Sequence, residues 1–75
     1  MSEKIQIELS KAEAVVLFEF LSRFSEKEIL QIDDQSEARV LWNIHCDLEK
    51  LLAEPFAIDY KEILQKSREI VRDEI

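Results

Sequence analysis

Glycine is absent from all 75 residues of this chain, and proline, cysteine, histidine and tryptophan each occur once. Without glycine, backbone at positive φ is costly. Phosphate-cradling loops, type I′ hairpins and glycine-terminated helices are therefore disfavoured. The lone Cys46 excludes an intrachain disulfide. One cysteine and one histidine cannot supply the four ligands of an ordinary structural zinc site. The longest apolar run, Ala14-Val15-Val16-Leu17-Phe18, falls far short of the ~20 residues that cross a bilayer. The opening Met1-Ser2-Glu3-Lys4 has neither the basic segment nor the apolar core of a signal peptide. These absences lead to the expectation of a soluble cytoplasmic protein, one small domain over residues 1–75, with no cofactor and no metal.

What is present is acid and apolar surface. Seventeen acidic against ten basic residues give a formal net charge of −7. Duplex binding draws most of its affinity from neutralising phosphates, so the balance argues against nucleic acid, and equally against anionic membrane surfaces. It suits solubility or a basic protein partner. The 47% hydrophobic content argues for a folded core rather than disorder. A chain this short nevertheless gains only ~3–5 kcal/mol from one core. With disulfide and zinc excluded, self-association or a partner is the remaining source of extra stability.

Patterning predicts a mainly α fold, a three-helix bundle-like domain with a short N-terminal β-strand. Ile5-Gln6-Ile7-Glu8-Leu9 alternates apolar and polar residues, the signature of a half-buried strand. Ser10-Lys11-Ala12-Glu13 and Asp59-Tyr60-Lys61-Glu62 each put a capping oxygen three residues before a glutamate, as in a capping box. Helix one is expected from about Lys11 to Phe24, with Ala14, Leu17, Phe18, Leu21 and Phe24 on one face. Val15, Val16 and Phe20 widen that arc, as expected of a helix covered on two sides. Residues 28–32 read either as a second short strand or as a helical turn begun at Ser25.

Helix two is expected from Gln35 to Ala53, capped within Asp33-Asp34, with Ala38, Leu41, Ile44, Leu48, Leu51 and Leu52 inward. Pro55 should end it, because the residue before proline avoids the α region. Helix three should follow the Asp59 cap, with Ile58 stapled to Ile63. Its inner face would carry Tyr60, Ile63, Leu64, Ser67, Ile70 and Val71.

Three constellations invite a functional reading. His45-Cys46 suggests catalysis or metal binding, but adjacent helical residues point about 100° apart and do not converge. A core-edge histidine and a packed free cysteine are the favoured reading. Asp33, Asp34 and Glu37 suggest a cation site, yet calcium loops need spaced ligands and a glycine at the turn. Helix capping is favoured there. Trp42, taken with Val40 as one flank of helix two, reads either as a side chain covered within the fold or as an interface anchor.

The segments Leu17–Phe24, Ala38–Trp42, Glu54-Pro55-Phe56 and Tyr60–Leu64 resemble those of a family of short bacterial helical proteins. Their motifs are packing motifs. The resemblance implies a stand-alone bacterial protein and transfers no catalytic residue or function.

The reading that results is a non-enzymatic protein-interaction module that self-associates as a homodimer. One version is an immunity-protein or antitoxin-like inhibitor of a basic partner. The candidate interface is Ile5, Ile7 and Leu9, whose strand needs a pairing edge, together with Val40 and Trp42. The alternative is a small ligand-binding or enzymatic domain using His45 and Cys46 or the acids Asp33, Asp34 and Glu37.

Overall fold

The structure, a computed structural model, describes residues 3–27 and 32–73, with the side chains of 25–27 left aside. It contains α1 (Lys11–Lys27), α2 (Gln35–Leu51), a 3-10 turn at Glu54–Phe56, and α3 (Tyr60–Arg72). The mainly helical, bundle-like class matches the patterning.

The start of α1 is set by its capping box. The Glu13 N–H donates to Ser10 Oγ at 3.0 Å, and the Ser10 N–H donates to Glu13 Oε1 at 2.8 Å. Two backbone donors that a helix start leaves orphaned are thereby satisfied. The helix continues one turn beyond the expected end at Phe24. Nothing in Ser25-Glu26-Lys27 breaks it, and Phe24 itself is buried.

α1 is the central element. It packs against α3 on one side and α2 on the other, and α2 and α3 meet little directly. This two-sided cover is what the wide apolar arc anticipated, and Val15, off the narrow stripe, has no exposed surface at all. Against α2, Ala14, Phe18 and Leu21 form a cluster with Leu48 and Leu52, flanked by Leu17 and Leu41. Burying a leucine of this kind contributes roughly 1.5–3 kcal/mol before entropy is counted. From α3 the buried positions are Leu64 and Ser67, and the Ser67 hydroxyl is satisfied by the Ile63 carbonyl at 2.8 Å.

Several expectations are corrected. Residues 3–10 form no strand, and no strand exists among the described residues. Alternation specifies which side chains share a face, but a strand also needs a neighbour for its backbone, and the described residues supply none. Ile5 and Ile7 stand 91% and 77% exposed. Of the ambiguous stretch 28–32, residues 28–31 lie outside the described residues.

α2 ends at Leu51 rather than Ala53. With no glycine to take a left-handed cap, it stops by a switch to extended backbone at Leu52 (φ −103°, ψ 133°). That switch keeps the Leu52 N–H on the Leu48 carbonyl at 2.9 Å and turns its side chain into the core. Pro55 does not end α2 but sits inside the 3-10 turn that follows.

The Asp59 box is not made. Asp59 adopts φ −98°, ψ 35° instead of the extended backbone a cap needs, and its side chain bonds no helix N–H. The Glu62 and Ile63 N–H groups use its carbonyl oxygen instead, at 3.0 and 3.1 Å. Ile58 is fully exposed, so it does not staple to Ile63. Ile44 and Leu51, expected inside, face outward, as does Ile70.

Candidate functional site

An α-helix turns about 100° per residue, so two residues apart are roughly 200° apart. Val40 and Trp42 therefore lie on opposite sides of α2 rather than on one flank. Trp42 lies on the Ala38 side. With Phe24 and Ile32 it walls a cavity of about 710 Å³ between the end of α1 and the start of α2, whose polar edge is Gln35, Ser36 and Arg39. Trp42 is 43% exposed there, neither covered nor fully free.

On the other side, Val40 aligns with Ile44 and Leu51 at spacings of four and seven. These three are exposed, Val40 at 53% and Leu51 at 79%. Glu37 and Asp47 complete the same stripe at alternating spacings of three and four, the pattern of a helix–helix seam. Thus α2 carries one apolar face toward α1 and a second, acid-punctuated one toward solvent. All five candidate interface residues, Ile5, Ile7, Leu9, Val40 and Trp42, are exposed, but they form three separate regions.

His45 and Cys46 diverge as expected of neighbours on a helix. His45 is half-buried, its ring stacked on Phe18 with centroids 4.8 Å apart. Cys46 is exposed, not packed, because it lies one residue around from the core face. His45 Nε2 also shares a hydrogen bond with Ser22 Oγ at 3.0 Å. Sequence reasoning missed this serine–histidine pair, since the residues are far apart in the chain. The faint signal was that Ser22 lies one turn after Phe18, beside the α2-facing stripe. Chemically it resembles half of a nucleophile–base arrangement. The bond ties α1 to α2, and neither residue lines the two cavities described in this subsection.

Of the three acids, Asp34 caps α2 and Glu37 reaches back from its first turn, while the Asp33 carboxylate caps no helix N–H. Asp34 Oδ2 accepts from the Ser36 N–H at 2.8 Å, and Glu37 Oε1 accepts from the Asp33 N–H at 3.0 Å. The bonds from Ser36 hold the Asp34 carboxyl below its usual range.

Two further polar contacts bind elements together. Lys11 Nζ donates to Glu54 Oε2 at 2.9 Å, joining the start of α1 to the 3-10 turn. That bond lowers the Glu54 pKa, while Glu54 Oε1 is buried without a partner. The Tyr60 hydroxyl donates to Glu19 Oε1 at 2.9 Å, joining α3 to α1. Burial first, then the bond to Glu19 and its charge, push the Tyr60 pKa up to about 12, with Arg68 opposing.

Beside this junction α1 and α3 enclose a smaller groove of about 340 Å³. Its floor is Val16, Leu17, Phe20 and Val71, and Arg23 and Arg68 stand at its walls with Glu13. The Arg23 guanidinium lies over the Phe20 ring at 5.8 Å, within cation–π range.

Among the described residues, no three histidine, cysteine or acidic side chains converge as a metal site, and no helix is long and apolar enough to cross a membrane. No family model, curated protein or solved structure matches the chain, so neither the resemblance noted above nor any relative assigns a role to these residues.

Proposed function

We propose that this protein is a non-enzymatic protein-interaction module that self-associates as a homodimer. The observation that carries this reading is the second apolar stripe of α2. Val40, Ile44 and Leu51 are large aliphatic side chains at helix–helix spacing, 53%, 37% and 79% exposed, on a face of α2 adjacent to the one that the fold has already filled. Apolar residues repeating at spacings of three and four along one exposed helix face, with acids between them, are the pattern by which one helix packs on another. The polar groups offer weaker support for chemistry. His45 and Ser22 border neither cavity, and the charged group in the larger cavity wall is Arg39.

A second reading, an immunity-protein or antitoxin-like inhibitor of a basic partner, is favoured by Glu37 and Asp47. They fall within the apolar stripe and would face lysines or arginines across an interface, and the net charge of −7 would steer such a partner inward.

The test is Ile44→Asp, examined by light scattering and circular dichroism at micromolar concentration. The stripe as self-contact predicts a fall from dimer to monomer mass with the helical signal unchanged. A dimer mass that survives this substitution removes the stripe from the self-contact.

A further inference from the structure

The segment from Glu3 to Leu9 leaves α1 as an arm without secondary structure. Every residue in it is exposed, including three large aliphatics at alternate positions. Glu3 and Glu8 outweigh Lys4, so the arm is both apolar and acidic. The groove between α1 and α3 has the opposite character: an apolar floor with two arginines and one glutamate at its walls. Among the described residues the one ion pair joins Lys11 to Glu54, so Arg23 and Arg68 are not engaged by a described carboxylate.

We infer that the arm of one copy docks in the α1–α3 groove of a second copy, Ile5 and Ile7 on Phe20 and Val71 and the arm's glutamates against Arg23 and Arg68. This rests on the self-association proposed above and names the segment that contributes to it.

The dimensions agree. Seven extended residues reach ~23 Å, and the groove runs from Glu13 to Arg23, ten residues or ~15 Å along α1. Direction favours exchange over folding back. The arm joins α1 at Ser10, whose backbone N–H and hydroxyl are both held in the capping box. To enter its own groove the arm must reverse at that clamped residue. The arm of a partner running antiparallel to α1 enters without reversal, and a two-fold axis makes the exchange reciprocal. Pairing of the two arms with each other is the weaker use of the same segment, because an isolated two-stranded ribbon is at best marginally stable.

The experiment mixes two forms of the full chain. One carries Gln6→Cys with a nitroxide label, in a Cys46→Ser background because Cys46 is exposed. The other is unlabelled by nitroxide and enriched in nitrogen-15, so only contacts between copies are seen. Arm exchange predicts broadening of the amides around Phe20 and Val71, reversed when the nitroxide is reduced. Adding Ile7→Asp to the labelled copy should abolish the broadening. In the otherwise unmodified chain, the same substitution should raise the dimer dissociation constant roughly tenfold or more, the loss expected for one buried anchor. A dimer mass without broadening at Phe20 and Val71, or with broadening along Val40, Ile44 and Leu51 instead, overturns the arm while leaving self-association intact. A monomer mass at every concentration overturns both.

Discussion

Leu51 and Leu52 are neighbours that periodicity alone assigns to one core, and the structure gives them opposite fates. Leu52 touches the cluster of Ala14, Phe18, Leu21 and Leu48, whereas Leu51 is 79% exposed. Truncating a buried leucine to alanine loses the transfer free energy of its carbons plus a cavity term, ~2–5 kcal/mol in all. Leu52 sits at a helix end where the site can partly collapse, so Leu52→Ala should cost about 2–3 kcal/mol. A chain of this length has total stability of only ~4–11 kcal/mol. The corresponding fall in melting temperature is roughly 10–20 °C. Leu51→Ala should change stability by ~0.5 kcal/mol or less. Both variants are to be melted by circular dichroism at 222 nm, with urea titrations alongside. The protein must be dilute enough to be monomeric, because Leu51 lies in the proposed contact stripe. Equal losses from the two leucines, or a larger one from Leu51, would refute the packing described here.

Three shorter predictions follow from the polar contacts. Ser10→Ala strands an N-terminal donor of α1 and should lower stability by about 0.5–2 kcal/mol, so an unchanged melting temperature would place the helix start elsewhere. Tyr60 has a folded pKa raised from 10.0 to about 12. Its contribution is therefore complete below pH 10 and disappears as pH rises from 10 through about 12, a loss of ~1 kcal/mol after solvent screening. Tyr60→Phe should remove that pH dependence in alkaline urea titrations. Lys11→Met should raise the Glu54 carboxyl toward its ordinary pKa, because the bond from Lys11 is the main cause of its depression. A carboxyl carbon chemical-shift titration that does not move would show that the pair is not formed in solution.

What the sequence made legible was what depends on neighbours in the chain. The Ser10–Glu13 box and the Asp34 cap each join a side chain to backbone three residues away or less, so residue type and spacing were enough. Asp59 shows where that reasoning stops: it has the right side chain, but its backbone is not extended and its carboxylate bonds no helix N–H. The N-terminal alternation told which side chains share a face and could not tell whether a pairing edge existed. Leu51, Ile44 and Ile70 lie close enough to the apolar stripes of their helices that periodicity alone places them inward. Membership is decided by where α1 lies, which no local pattern contains. Val40 and Trp42, close in sequence, are separated by roughly 200° around the helix. The Ser22–His45 bond and the α1–α3 groove join residues distant in sequence, and so were invisible before the helices were placed.

Self-association is decided by sedimentation equilibrium across nanomolar to high micromolar concentration. A homodimer gives a mass that rises with concentration to twice the chain mass of 8.9 kDa and stays there. A mass of 8.9 kDa throughout that range would contradict it.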